Sequence, residues 1–160
     1  MPIDTTDVFA DDQIPAGSSE KPCCTYSLVC EGDLLAAQYH AVRITSFMAL
    51  INTPAVSLCG NGQKPLGILQ EPGGANDMRL VICEGKSKVV IGQAVTFWQS
   101  WQSNALGQLI PLAASSWCGG RFYTSGGLSA TPSGLEMVTA LIGCHNPWRS
   151  DSQFTDEGGR

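Results

Sequence analysis

Seven cysteines and two histidines are the residues of this 160-residue chain that could bind a metal ion or act as nucleophiles. Zinc sites hold their ligands at short paired spacings, and no such pair occurs here. Cys144 and His145 are adjacent, so on a strand their side chains would point to opposite faces. The pattern favours buried, reduced thiols, and we expect no metal ion and no disulfide. The cysteines are Cys23, Cys24, Cys30, Cys59, Cys83, Cys118 and Cys144.

Two short motifs begin like phosphate-binding or catalytic loops, and neither is complete. Gly60-Asn61-Gly62 starts like a dinucleotide-binding loop, but Pro65 occupies the third glycine position and no helix is predicted after it. The segment at 127–131 lacks the second glycine of a hydrolase nucleophile elbow. We therefore predict a protein that is not an enzyme, with no cofactor and no catalytic residue. A cysteine nucleophile beside His40 or His145 is the enzymatic alternative.

Large aromatic side chains are concentrated in the second half of the chain and form the strongest remaining signal. Tryptophan and tyrosine are enriched at interface hot spots and on surfaces that stack against sugars. Alternation along a strand at 94–101 would place one of Phe97 and Trp98 inward and the other outward. The cluster is either ordinary core or, in part, a binding surface. Its members are Phe97, Trp98, Trp101, Trp117, Phe122 and Tyr123.

The overall composition excludes several classes of partner. The net charge is −5, and the nine basic residues are scattered, so we expect no binding to nucleic acid. The apolar runs are only a few residues long and the N-terminal sequence has no signal-peptide pattern, so neither export nor insertion into a membrane is expected. Only 14% of the residues are charged, which suggests a surface that contacts other proteins.

The spacing of apolar residues and turn residues is typical of strands. Apolar runs at 66–69, 80–83 and 89–91 are separated by clusters of Gly, Pro and Asn. Tight turns at 60–62 and 72–74 should bracket the first run as a buried strand. At 39–47 polar and apolar residues alternate, with His40, Val42, Ile44 and Ser46 on the more apolar face. Residues 135–144 are predicted to form a closing strand.

Both ends of the chain have the composition of arms. Residues 1–22 are acidic and poor in apolar residues, so they form either a disordered tail or an arm that becomes ordered on a neighbouring subunit. Residues 23–144 form the β domain, and residues 145–160 form a second arm or tail. The predicted fold is all-β: a single small β-barrel or β-sandwich with extended N- and C-terminal arms.

The central segment carries a succession of turn and strand motifs. In order, they are Leu66-Gly67-Ile68-Leu69-Gln70, a turn at Pro72, a strand ending in Cys83-Glu84-Gly85, and Ser87-Lys88-Val89-Val90 followed by Gly92-Gln93-Ala94-Val95. This succession resembles the family of small tailed-phage capsid cement proteins, also called head decoration proteins. Members carry a Gly-Val-Leu-Gln type motif, a strand closing in Gly, and a Lys-Val strand before an Ala-Gly-rich turn. The similarity spans roughly residues 33–95.

The resemblance implies a compact β protein on the outer surface of the virion capsid, made in the host cytoplasm. Such a protein would clamp neighbouring subunits of the major capsid protein and would associate with itself, a homotrimer being preferred. The contact residues follow from the aromatic content and the two arms, because the family motif marks none. They are Phe9, Ile14, Trp98, Trp101, Trp117, Tyr123 and Trp148. The alternative function is a carbohydrate-binding β module that uses the tryptophan cluster.

Overall fold

The structure is a computed structural model, and it describes residues 24–127, 136–144 and 148–149. The described chain is all-β, which confirms the predicted fold class. Its one helical segment is a single 3-10 turn at Ala49–Ile51, and no described helix has the length and hydrophobicity to cross a membrane. The strands are β1 (Cys24–Cys30), β2 (Ala41–Met48), β3 (Thr53–Leu58), β4 (Gly67–Leu69), β5 (Met78–Ile91), β6 (Ser100–Ser103), β7 (Leu109–Pro111), β8 (Trp117–Cys118), β9 (Gly120–Phe122), β10 (Glu136–Gly143) and β11 (Trp148–Arg149).

The first five strands close into a barrel. The sheet order runs β1-β3-β2-β4-β5, and β1 also pairs with β5 from Cys24 opposite Glu84 to Val29 opposite Met78. The β1–β3 pairing is parallel, and the other four pairings of the ring are antiparallel. Closure leaves no free strand edge within this ring, which removes the sites where another strand could pair.

The remaining large strands extend from the second half of β5. Strand β10 pairs with β5 along its whole length, from Glu136 opposite Ile91 to Gly143 opposite Glu84. The order then continues β10-β9-β6-β7, and β7 returns to β5 through the single pair Ile91 and Leu109. The small pair β8 and β11 forms a separate two-stranded sheet. Strand β5 therefore belongs to both rings of strands.

Strand β5 is one continuous strand, whereas the sequence pattern predicted two runs separated at 84–88. Its register with β1 shifts between Cys24 and Thr25, so that Cys83 is an extra residue in β5. Gly85, just after this bulge, has a φ of 120°. A bulge turns the strand and changes the face to which the following side chains point. Because Lys86 and Ser87 remain paired with β10, the polar segment continues the strand and does not end it.

Two hydrophobic clusters form the core of the protein. One cluster lies inside the five-stranded barrel and includes Leu28, Val42, Val56, Leu69, Val81 and Cys83. The other lies between the second ring and the outside of β4 and β5, and includes Ile68, Ile82, Val89, Ile91, Trp101, Leu109, Phe122 and Ala140. Val81 and Ile82 thus point into different clusters, and both are fully buried. The turns predicted at 60–62 and 72–74 bracket β4, and the predicted closing strand is β10.

Three local predictions were wrong. The apolar face predicted for 39–47 is buried only as far as Val42, since Ile44 and Ser46 are exposed and a register shift separates them. Residues 94–101 are not one strand: Phe97 and Trp98 lie on a turn, and Trp98 has a φ of 67°. The Gly- and Pro-rich composition of residues 115–133 predicts a loop, yet strands β8 and β9 lie within this segment.

Gly67 sets the distance between β4 and β5, and alanine at this position should destabilise the fold. A Cβ atom on Gly67 would lie 2.2 Å from the backbone oxygen of Ile82, so the two strands would have to separate. We expect Gly67→Ala to lower the free energy of unfolding by about 1–3 kcal/mol, measured by urea unfolding. Gly32→Ala is the control, because no atom lies within 4 Å of its Cβ position. Equal stability of the two variants would contradict the close approach.

Candidate binding surfaces

Trp101 is a core residue, which corrects its predicted place at a contact surface. Its side chain is 0% exposed, and its Nε1 donates a hydrogen bond to the backbone oxygen of Leu141 at 3.1 Å. The indole lies over Gly119, where a Cβ atom would be 1.9 Å from the ring. Gly120 follows with a φ of 146°, and β9 can therefore pass close to β10. Trp101 joins β6, β9 and β10, and offers no surface to a partner.

Trp98 and Tyr123 are exposed, and each has a cation over its ring. The Arg121 guanidinium lies 5.5 Å from the Trp98 ring, and its Nη1 donates a hydrogen bond to the backbone oxygen of Trp98. The Lys86 ammonium lies 4.8 Å from the Tyr123 ring. Arg121 and Tyr123 have the same parity on either side of the buried Phe122, so they share one face. The structure thus brings together the predicted residues Trp98 and Tyr123, with the exposed Phe97 ring 5.8 Å from Trp98.

The remaining predicted contact residues are placed elsewhere or lie outside the described part of the chain. Trp117 is partly buried, begins β8, and has the Lys64 ammonium 5.3 Å from its ring. The backbone of Trp148 pairs with Cys118 in the small sheet. Phe9 and Ile14, with most of both predicted arms, lie outside the described residues. The three predicted contact residues whose described side chains are exposed or partly exposed, Trp98, Trp117 and Tyr123, therefore each have a cation near the ring.

The sequence prediction missed an apolar surface at one end of the barrel. Tyr26, Ile44 and Pro54 continue the inward-facing positions of β1, β2 and β3, since each is two residues from a core residue of the barrel. Together with Leu66 they line an open cavity of about 430 Å³. We call these four residues the barrel mouth. Tyr26 and Ile44 are about half exposed, so the barrel core is open to solvent at this end.

The hairpin between β2 and β3 extends the apolar surface beyond the barrel mouth. Phe47 is paired with Pro54 and so lies on the same face as the mouth. Leu50 and Ile51 follow in the 3-10 turn, and Leu50 is 99% exposed. We call Phe47, Leu50 and Ile51 the hairpin tip. The register shift after Ile44 exposes these residues. The strict alternation assumed from the sequence does not predict this shift. The run Phe47-Met48-Ala49-Leu50-Ile51 was nevertheless a visible signal.

Five of the described cysteines lie in environments that disfavour the thiolate form. The six cysteines in the described part of the chain are free thiols, as predicted. Burial raises the pKa of five of them, Cys30, Cys59, Cys83, Cys118 and Cys144. A catalytic cysteine needs the opposite shift. His40 is buried, and its Nδ1 lies 2.9 Å from the backbone oxygen of Gln38. Within the described residues, no three His, Cys, Asp or Glu side chains are grouped to hold a metal ion.

Comparison with known proteins identifies a similar fold. The chain is similar to the crystal structure of the N base of head fiber gp8.5 in bacteriophage phi29, with a TM-score of 0.58 and 11% sequence identity. The similarity covers 76% of this chain and 94% of the phage chain. No protein family model and no curated protein sequence matches this chain. At this identity the likeness is one of fold.

The buried Cys83 thiol should make the protein less stable at alkaline pH. Burial, and secondarily the charge of Cys24, raises the Cys83 pKa from 9.0 to about 12. Between these values the unfolded chain binds fewer protons than the folded one, so this contribution is complete below pH 9 and is lost as the pH rises toward 12. We expect a loss that steepens above pH 9 and approaches about 1.4 kcal/mol per pH unit between pH 10 and 11, measured by urea unfolding at pH 8, 9, 10 and 11.

Cys83→Ala is the matched variant for this measurement. It leaves a small cavity and lowers stability at every pH, but it removes the titrating group, so its stability should fall less steeply with pH than that of the unmodified protein. Parallel curves for the two proteins would show that the Cys83 thiol does not cause the alkaline loss.

Proposed function

We propose that this protein is a structural component of a phage head. The observation that carries the proposal is the fold shared with the base of a phage head fiber, over most of both chains. The resemblance of residues 33–95 to capsid cement proteins supports the same location independently. The more specific form of the proposal is a decoration protein that binds the outer surface of the assembled head and stabilises contacts between major capsid subunits.

The exposed surface is suited to binding another protein. The barrel mouth and the hairpin tip form a continuous apolar region, and solvent-exposed apolar regions of this kind mark interaction sites in soluble proteins. The hairpin tip protrudes from a closed barrel, so a partner would contact side chains and would not extend the sheet. Self-association into a homotrimer is part of the proposal, with Phe9 and Ile14 of the first arm and Trp148 of the second as further contacts.

A binding protein of this type would stabilise the head by mass action. A protein that binds the assembled shell, and not the dissociated subunits, shifts the equilibrium toward the shell in proportion to its concentration and affinity. Many copies on one lattice multiply a modest interface, because each copy that bridges two subunits holds both in place. This mechanism requires no catalytic group.

The alternative of a carbohydrate-binding module that uses the tryptophan cluster loses one of its main residues. Trp101 is in the core, and Trp98 and Trp117 belong to different surfaces with a cation over each ring. Among the described side chains, Trp101 is therefore not available to a stacking platform.

The first test is the composition of purified phage particles from the source of this sequence. Quantitative mass spectrometry should detect this chain in a fixed ratio to the most abundant shell protein, either near one or a simple fraction of it. Such a ratio is expected for a lattice component. Absence of the chain from purified particles would overturn the proposal.

The hairpin tip should contribute to shell binding. We expect Leu50→Asp to weaken binding to assembled shells at least about tenfold, because a carboxylate would be buried in an apolar interface. Leu50 packs against little within its own chain, so the thermal unfolding temperature should not change. The measurement is cosedimentation of purified protein with shells that lack it.

Leu106→Asp is the matched control for this experiment. Leu106 is 62% exposed and lies in the turn between β6 and β7, away from the β2–β3 hairpin in sequence. The control variant should bind shells like the unmodified protein. If both variants bound normally, the hairpin tip would not be the contact surface.

A further inference from the structure

A large open cavity lies where β2, the β3–β4 connection and β8 meet. It has a volume of about 710 Å³, within the range typical of ligand sites. Strand β2 provides Arg43, the β3–β4 connection provides Lys64, and β8 provides Trp117. Backbone hydrogen bonds from Gly62 to Ser103 and from Trp117 to Gly62 hold these segments together. The cavity adjoins the barrel mouth, since Ile44 and Leu66 line both.

The charge of this cavity is opposite to that of the whole protein. The chain has a net charge of −5, yet Arg43 and Lys64 line the cavity and none of its described lining residues is Asp or Glu. The Cys144 thiol at the cavity wall stays neutral, because burial raises its pKa well above 9.0. Two positive groups among described lining residues that include no acidic one give a local preference for an anion.

Arg43 has hydrogen-bonding capacity that its own chain does not use. Its Nε is buried and has no hydrogen-bond partner among the described residues. Glu31 is the carboxylate whose pKa Arg43 helps to lower, but the main partners of Glu31 are Thr45 and Ser46. The salt bridge that the described residues form joins Arg79 and Asp77 instead. A buried donor without a partner is costly, and a turn of the side chain toward the cavity would let a bound acceptor satisfy it.

Trp117 adds an apolar platform beside the two cations. Its indole is partly exposed, and Lys64, which lies over the ring, is itself an exposed and flexible side chain. The ammonium can move from the ring to a ligand anion, which would leave the indole face for a sugar ring to stack on. Pro65, Leu66 and Ile44 complete the wall with apolar groups.

We propose that the Arg43, Lys64 and Trp117 cavity binds an acidic sugar residue of a polysaccharide, with the carboxylate at Arg43 and Lys64 and the sugar ring on Trp117. An arginine fork matches a carboxylate through two parallel hydrogen bonds, and a lysine adds a movable positive charge. A tryptophan face favours a sugar ring over a bare anion. This site differs from the tryptophan cluster expected from the sequence, because it uses one tryptophan and two cations.

The test is calorimetric titration of the full chain with tetragalacturonate and with its methyl ester. The ester has the same sugar rings without the charge, so the proposal expects binding of the acid and at least about tenfold weaker binding of the ester. The affinity for the acid should fall with added salt. Equal affinity for the two compounds, or no binding of the acid, would overturn the proposal.

Substitutions of the cavity residues test whether the ligand binds at this cavity. Arg43→Gln and Lys64→Gln should each lower the affinity for tetragalacturonate about tenfold. Trp117→Ala should lower it further than Trp117→Phe, because phenylalanine keeps an aromatic face. Lys64 is exposed, so its variant tests the charge without disturbing the fold, even if Arg43→Gln unfolds.

Lys86→Gln is the matched control, because Lys86 also lies over an aromatic ring but on the Tyr123 surface. It should bind the acid like the unmodified protein. If Lys86→Gln weakened binding and Lys64→Gln did not, the site would be misplaced. If tetraglutamate bound at this cavity and tetragalacturonate did not, the ligand would be an acidic peptide and the sugar proposal would be wrong.

Discussion

Val81, Ile82 and Cys83 are all fully buried, so the middle of β5 is covered on both faces. An ordinary strand at the surface of a small β domain has one face in the core and one in water. Here the first face closes the five-stranded barrel and the second supports the other cluster, which places two cores on one strand. The bulge at Cys83 and the unusual backbone of Gly85 then turn the second half of β5, so that Val89 and Ile91 also face the second cluster. Both rings depend on this shared strand.

The shared strand also determines where apolar surface is left over. A ring closed by strands as short as β4, with three residues, cannot bury residues far along its longer neighbours. Strands β2 and β3 extend past the end of β4, and their inward-facing residues therefore emerge at the barrel mouth and the hairpin tip. The strands of the ring are hydrogen-bonded to one another on both edges. The exposed surface at the barrel mouth and the hairpin tip is therefore formed by side chains. Such a surface favours a partner with complementary shape over one that adds a strand.

Local signals in the sequence predicted the elements with clear boundaries. They failed where contacts between residues distant in sequence determine the local structure. Strand β4 lies between two turns with Gly, Asn and Pro, and β10 is a run of eight residues rich in β-branched and aliphatic side chains, so both were predictable. The polar residues 84–88 suggested a break in β5, because their pairing with β10 is a contact distant in sequence. Alternation predicted one outward residue at Phe97 and Trp98, but Trp98 adopts a left-handed conformation on a turn, and both side chains are exposed. The burial of Trp101 depends on Gly119 and Gly120, which composition marks as loop residues.

The aromatic residues fall into two groups according to what their rings contact. One group stabilises the core, and the other lies near a cation at the surface, where a ligand could bind. Trp101 satisfies its indole nitrogen within the core and so contributes to stability alone. Trp98, Trp117 and Tyr123 each hold a cation near the ring, which fixes positive charge at chosen places on an acidic protein.

A cation on an aromatic face is partly desolvated already, so less free energy is lost when an anion replaces its remaining water. Arg121 is further held by the backbone of Trp98, whereas Lys64 is exposed and lies beside the ring of Trp117. Of the three aromatic residues, Trp117 is also the one that lines the large cavity, where Arg43, whose Nε has no partner among the described residues, adds a second positive charge. The capacity to bind an anion is therefore concentrated at the junction between the barrel and β8, next to the apolar surface of the barrel mouth and separate from it in chemistry.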